Sequence, residues 1–286
     1  MQSKRDEQFA LLIQAQERAL DLTNWHEFLK AIASAGYRSE AMVTSKNSLV
    51  YAYAMFLIGK DDYGVSHARL RSAVARWFFV STVAERFGGS FETAMEQELT
   101  KLRAGGDEAR FLQVFEETLS PIVTDDFWNI RLPDALDSSG ARTPSLFAYH
   151  AALCVLKGPV LFSTLTVWEL FDPSHSPRKS NLDRHHLFPR AYLKSIGIAD
   201  RKVINRIANT TLVEWPDNIK IGAKSPAEYV PEIRELKHLD DRTWRAMCHA
   251  HALPEGWHEM DYFEFLAARR KLMANVIKQA YTQLGA

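Results

Sequence analysis

The chain has 286 residues, 47% of them hydrophobic and 24% charged, which is ordinary globular composition and excludes a mainly disordered or collagen-like protein. Its two cysteines, Cys154 and Cys248, are too few for a disulfide framework or an all-cysteine zinc site and fit a reducing compartment. Lysine plus arginine and aspartate plus glutamate each total 35, so the chain as a whole is no polycation and any charge that holds nucleic acid must be concentrated locally.

At roughly 150 residues per domain the length suggests about two domains, or one domain with an appendage. Met1 to Asp6 carries charge with no apolar core behind it and does not read as a signal peptide. The longest apolar run, Leu49 to Ile58, is half the roughly 20 residues a membrane span needs. The expectation is a soluble, cytoplasmic protein with no membrane contact.

The first 170 residues read as helices. Glu7 to Leu22 places Phe9, Leu11, Leu12, Ala15, Ala19 and Leu22 near helical period. Asn24 with Glu27 resembles an N-cap signal for a helix from Trp25 to Ala35. Ser48 to Ile58 has the length of a buried helix, with a strand as the open alternative. His67 to Phe87 points Leu70, Val74, Trp77, Phe78 and Val83 inward and stops at Gly88-Gly89. A helix C-cap turn explains those glycines better than a phosphate cradle. Thr93 to Glu96 has capping-box spacing and starts or renews the next helix. Ala109 to Leu119 and Ser145 to Leu156 follow. Asp125-Asp126 and Asp240-Asp241 read as helix caps, since helix N-termini favour acids.

Asp172 to Ser180, with two prolines and three serines, reads as a loop. Beyond it the pattern turns to short β-like pieces and short helices. Ser225-Pro226-Ala227-Glu228 supplies an N-cap, a proline at the first helical position and a glutamate at the third. A long helix from Asp261 to Leu284 closes the chain. The expected fold class is mainly α, as a helical domain over 1–171, a small embedded module over 172–235 and a helical extension over 236–286 that packs on the helical domain. Cys248-His249-Ala250-His251, set among Trp244, Met247 and Trp257, reads as helix packing rather than a metal cluster.

The segment that carries chemistry runs from Asp183 to Asn218. It opens Asp183-Arg184-His185-His186-Leu187-Phe188-Pro189. Adjacent histidines on a strand point to opposite faces, so neither duplicates the other. At a strand end both can still approach one phosphate from different sides. Asn209 lies in Ile207-Ala208-Asn209-Thr210-Thr211, and Asn218 follows nine residues later. Phosphodiester hydrolysis needs a water deprotonated near neutral pH, which suits a histidine, and a cation against the scissile phosphate. Between Ser176 and Arg206 lie eight basic and two acidic side chains, a local net charge of +6 that attracts a phosphate backbone.

These residues resemble the ββα-metal, or HNH, nuclease motif. The resemblance implies that His185 and Asn218 are metal ligands and His186 is the general base, with Pro189 three residues after it. It implies that Asn209 orients the loop and that Asp183 is an acidic position on the metal or behind a histidine. Two strands, near Leu182 to Leu187 and Thr210 to Glu214, would precede a helix after Asn218. Short helices near Arg190 to Ser195 and Arg201 to Ile207 would fill the loop. The implied cofactor is a divalent metal, Mg²⁺ or Mn²⁺ first, with Zn²⁺ or Ni²⁺ admitted by the imidazole ligand. Arg184, Arg190, Lys220 and Lys224 are the candidate DNA contacts, and RNA is not separated from DNA by charge alone.

The similarity extends further. His185 to Arg190, Ile204-Asn205-Arg206-Ile207-Ala208-Asn209, Pro226-Ala227-Glu228-Tyr229 and the helical stretch from Arg76 to Ser90 are similar to the C-terminal half of GmrSD-type, ParB-like/HNH fusion restriction proteins. That family implies a restriction endonuclease acting on modified or foreign DNA. Its members usually carry an N-terminal nucleotide-binding domain for which this chain has no Gly-x-x-x-x-Gly-Lys-Ser/Thr counterpart. The expectation is either a fragment lacking that domain or a short member that works alone or with a partner protein, and nucleotide dependence does not carry over. The alternative from another class is a non-catalytic helical interaction module with a vestigial nuclease site.

Overall fold

In a computed structural model, which describes residues 2–86, 90–103, 105–171 and 184–285, short polar side chains set many of the helix starts. Asp21, Ser45, Asp107, Thr143 and Asp240 each accept a bond from a backbone N–H in the turn that follows, which satisfies donors that have no intrahelical partner. The helices in order are α1 (Gln2–Leu20), α2 (Leu22–Ser34), α3 (Lys46–Leu57), α4 (His67–Val83), α5 (Phe91–Leu102), α6 (Glu108–Leu119), α7 (Leu132–Ala135), α8 (Pro144–Val155) and α9 (Val167–Leu170). Strand β1 (Arg184–His186) precedes α10 (Arg190–Ser195) and α11 (Arg201–Ile204). Strand β2 (Thr210–Leu212) leads into α12 (Trp215–Ile221), α13 (Pro226–Leu236), α14 (Asp241–Ala250) and α15 (Tyr262–Leu284). The protein is mainly α-helical, and no helix among the described residues is long and apolar enough to cross a membrane.

The described residues group into two units, one within Met1–Ala35 and Ser45–Ile122 and the other within Gly36–Thr44 and Val123–Leu284. In the first, α2, α3 and α6 pack on α4. Trp77, Phe78 and Phe79 of α4 are fully buried with Phe28, Tyr51, Met55 and Phe111. Each fully buried apolar side chain of this size contributes about 2 kcal/mol, so burial rather than helix propensity holds the bundle. Glu98 is the buried charge of this unit; it accepts from Tyr51 Oη at 3.1 Å and pairs with Arg86 Nη2 at 2.6 Å.

In the second unit α15 runs along α8 and also meets α7. Gly36 belongs to this unit and sits where nothing larger fits. Its φ is +87° and an added Cβ would fall 2.1 Å from the carbonyl oxygen of Ala151. The expected boundary at 171/172 falls within the sequence span of this unit. The loop expected over 172–180, with His175, and the glycine turn at Gly88-Gly89 lie outside the described residues.

Several local expectations are corrected. Helix α2 starts at Leu22 with Asp21 as its cap; Asn24 is instead buried, bonded to Arg18 O at 3.0 Å and to Lys60 Nζ at 2.8 Å. Helix α4 ends at Val83, short of Phe87. Helix α5 starts at Phe91, so Thr93 lies inside it rather than capping it. Thr124, not Asp125 or Asp126, accepts from the N–H of Phe127, at 3.2 Å, whereas Asp240 does cap α14. On α1 the apolar residues Phe9, Leu11, Leu12 and Ile13 are all exposed. They are spread around the helix, so no single face can bury them together.

Candidate active site

Strands β1 and β2 pair antiparallel with His185 opposite Thr211 and His186 opposite Thr210. The ladder is extended by the N–H of Leu187, which donates to Asn209 O at 2.8 Å. On the other side the N–H of Leu161 donates to Leu212 O at 3.1 Å. Helix α12 does not wait until after Asn218, as expected, but starts at Trp215. Pro216 sits in the first turn, where its missing N–H costs nothing, so Asn218 lies on the helix itself. The observed second strand ends at Leu212, and Val213 bridges to Leu161 instead.

The two adjacent histidines engage different elements. His185 Nδ1 lies 2.6 Å from Asn218 Oδ1 on α12. His186 Nε2 lies 3.0 Å from Asn205 Oδ1 at the end of α11. His185 is 6% exposed while His186 is half-buried. Burial pushes the His185 pKa down to about 4; the Asn218 bond opposes that shift and neighbouring His186 adds to it. His185 is therefore a neutral imidazole at physiological pH.

Asn209 is fully buried between the two strands. Its Oδ1 accepts from Phe188 N at 2.8 Å, and its Nδ2 donates to Phe188 O at 3.1 Å and Ile204 O at 2.9 Å. One amide thus ties the turn after β1 to the end of α11. The same turn is held from outside by Tyr229 Oη, which donates to Leu187 O at 2.7 Å. Phe188 packs on Tyr262 and Phe265 of α15, which anchors the turn to the core.

The remaining site candidates divide. Arg190 and Lys220 are exposed and form no ion pair among the described residues, whereas Lys224 is exposed and paired with Glu232. The backbone of Arg184 belongs to β1, but its side chain lies outside the description, as does Asp183. The structure brings together His185 and Asn218, and separately His186 and Asn205.

Four partners of this site carry no role that the resemblance implies. Asn205 meets His186. Asp217, 1% exposed, receives Lys237 Nζ at 2.8 Å directly beside Asn218. His251 Nε2–H donates to Pro159 O at 2.6 Å, which leaves Nδ1 to accept from Thr211 Oγ1 at 3.2 Å. Arg269, fully buried, donates to Ala208 O and Thr210 O. Cys248 and His249 stay on α14 with no metal partners, and no group of three or more His, Cys, Asp or Glu able to hold a metal occurs among the described residues.

His185 and Asn218 nonetheless suit a divalent cation. A neutral imidazole offers a lone pair without first losing a proton to water, and an amide oxygen is a hard donor. For Nδ1 to ligate, its proton must pass to Nε2. That atom is buried and has no hydrogen-bond partner among the described residues, and the transfer gives up the bond to Asn218 in exchange for two cation ligands. Two protein donors leave the other positions of a cation open to water and phosphate oxygens.

No family model matches the chain, and no solved structure matches it. The chain is similar to an uncharacterized protein, MJ0686, of Methanocaldococcus jannaschii. The two are 23% identical over 164 residues, covering 57% of this chain and 26% of that protein. The chain thus spans about a quarter of the length of this relative.

Proposed function

We propose that the chain is an HNH-type endonuclease that hydrolyses DNA phosphodiester bonds with a divalent cation, in restriction of modified or foreign DNA. The observation that carries the reading is the opposition of His185 Nδ1 and Asn218 Oδ1 at 2.6 Å, from a strand and a helix, beside a second histidine held independently. A purely structural histidine pair gives no reason for that division of partners. In this reading residues 172–235 are the nuclease module, and 1–171 with 236–286 position the substrate or engage a partner protein.

His186 takes a proton from water as the water oxygen attacks phosphorus. The P–O bond to the leaving oxygen breaks, and that oxygen is protonated from solvent. His185 and Asn218 would hold a divalent cation, Mg²⁺ or Mn²⁺ first, which would supply Lewis acidity to the reaction. Asn209 keeps the turn after β1 in place so that both histidines hold their directions. Arg190 and Lys220 contact phosphates without reading sequence.

The test is cleavage of supercoiled plasmid and of modified phage DNA by wild type, His186→Ala and Asn218→Ala with Mg²⁺ or Mn²⁺, beside an RNA digest. Cation-dependent nicking is expected, abolished by EDTA and lowered at least about 100-fold in either variant. Equal rates in wild type and His186→Ala overturn the base assignment. A wild type that neither cleaves nor binds cation by calorimetry overturns the nuclease in favour of a helical interaction module.

A further inference from the structure

The partner of His186 has no assigned role. Asn205 closes α11, and its own N–H donates to Arg201 O at 3.0 Å. Residues on both sides of it are tied down. Tyr262 Oη donates to Val203 O at 2.8 Å and Asn209 Nδ2 to Ile204 O at 2.9 Å. Arg206 pairs with Asp137 at 2.8 Å. Asn205 is therefore a fixed post, and its Oδ1 meets the Nε2 of His186 at 3.0 Å. An amide oxygen only accepts, so when the ring is neutral its proton sits on Nε2 and its lone pair on Nδ1.

We propose that Asn205 is the positioning residue of His186, fixing its ring rotation and its tautomer so that Nδ1 is the atom that takes the proton from water. The proposal rests on the nuclease reading above. Orienting partners of this kind, one bond behind the reacting group, typically change activity 10- to 100-fold when removed. Without Asn205 the bond that holds Nε2–H is lost, while the phosphate contacts remain.

The test compares full-length wild type, Asn205→Ala and Asn205→Asp. Asp keeps acceptor oxygens at the same place but has no amide nitrogen. Two readouts are used: kcat and KM on plasmid, and the His186 Nε2–H resonance in a ¹H–¹⁵N spectrum. The expected result for Asn205→Ala is a kcat lower by about 10- to 100-fold, KM within about twofold, and loss of the exchange-protected Nε2–H signal. Asn205→Asp is expected to keep the signal and most of kcat. A protected Nε2–H in Asn205→Ala, or an Asp variant as impaired as Ala, overturns the proposal. The Asp arm also carries the test if the Ala variant does not fold. If wild type does not cleave at all, the nuclease reading falls, and the Nε2–H signal alone decides whether Asn205 holds the ring.

Discussion

Arg269 of α15 donates its Nη1 to the carbonyl of Thr210 at 2.8 Å, from a position with no exposure to solvent. The same Nη1 reaches Ala208 O at 2.7 Å, so one guanidinium nitrogen brackets Asn209 from both sides, and Nη2 reaches His251 O at 3.3 Å. The final helix is thereby wired to the amide that clamps the site. A buried guanidinium tolerates this place because its planar fork supplies several donors at fixed angles.

Arg269→Met keeps the bulk and removes those donors. Buried carbonyls stripped of a charged donor cost about 1–3 kcal/mol each, and relief from burying a charge offsets part of that. The expected net loss is about 3 kcal/mol, a fall in Tm of roughly 6–10 °C for a protein of this size. Arg269→Lys is expected to fall nearly as far, because an ammonium cannot reproduce the fork. Thermal unfolding decides it, and a Tm within 2 °C of wild type would refute the role.

His251 gives the fold a pH dependence. It is completely buried between Thr211 and Pro159, and burial pushes its pKa down to about 4. His185 is pushed to about 4 for the same reason. The unfolded chain binds a proton at each histidine near pH 6.5, the folded chain only near 4, so stability rises with pH between those values. The contribution is complete above about pH 6.5 and is lost as pH falls toward 4, about 3 kcal/mol per histidine. Urea unfolding at pH 7 and pH 4.5 should show the loss, and His251→Gln should flatten the slope by about half. A slope unchanged by that variant would remove His251 as a cause.

What the sequence makes legible here is what neighbours decide. Ser225 and Glu228 form their capping box, with Glu228 Oε2 2.8 Å from the Ser225 N–H and 2.7 Å from its Oγ, because every atom involved lies within one turn. The burial of Trp77, Phe78 and Phe79 follows from their density on one helix. The closeness of His185 and Asn218 could be stated only through a resemblance, because nothing local brings positions 33 residues apart together. Asn205, His251 and Arg269 were illegible for the same reason. Each acts on the site across a loop or from another helix, and nothing in its own segment names the distant group it meets. The cap of α2 misled differently: Asn24 fits the cap pattern, but Lys60, 36 positions away, offers it a buried bond and Asp21 takes the cap.

Asp217 and Lys237 make the sharpest remaining test of how the site is built. The Asp217 carboxylate is 2% exposed and Lys237 Nζ, on the residue that closes α13, lies 2.8 Å from it. Asp217 directly precedes Asn218, so this pair fixes the first turn of α12 from behind. Lys237→Met leaves a buried carboxylate with no counter-charge, which costs about 3–5 kcal/mol. Asp217→Asn adds a second change that removes the stranded charge. The double variant is therefore expected to be more stable than Lys237→Met alone, recovering about half of its loss or more. Cation affinity, read by calorimetry, should follow the same order, because a loosened first turn lets Asn218 drift from His185. Additive stability losses in the double variant would mean that the two side chains act independently, and that something other than their pairing sets where Asn218 stands.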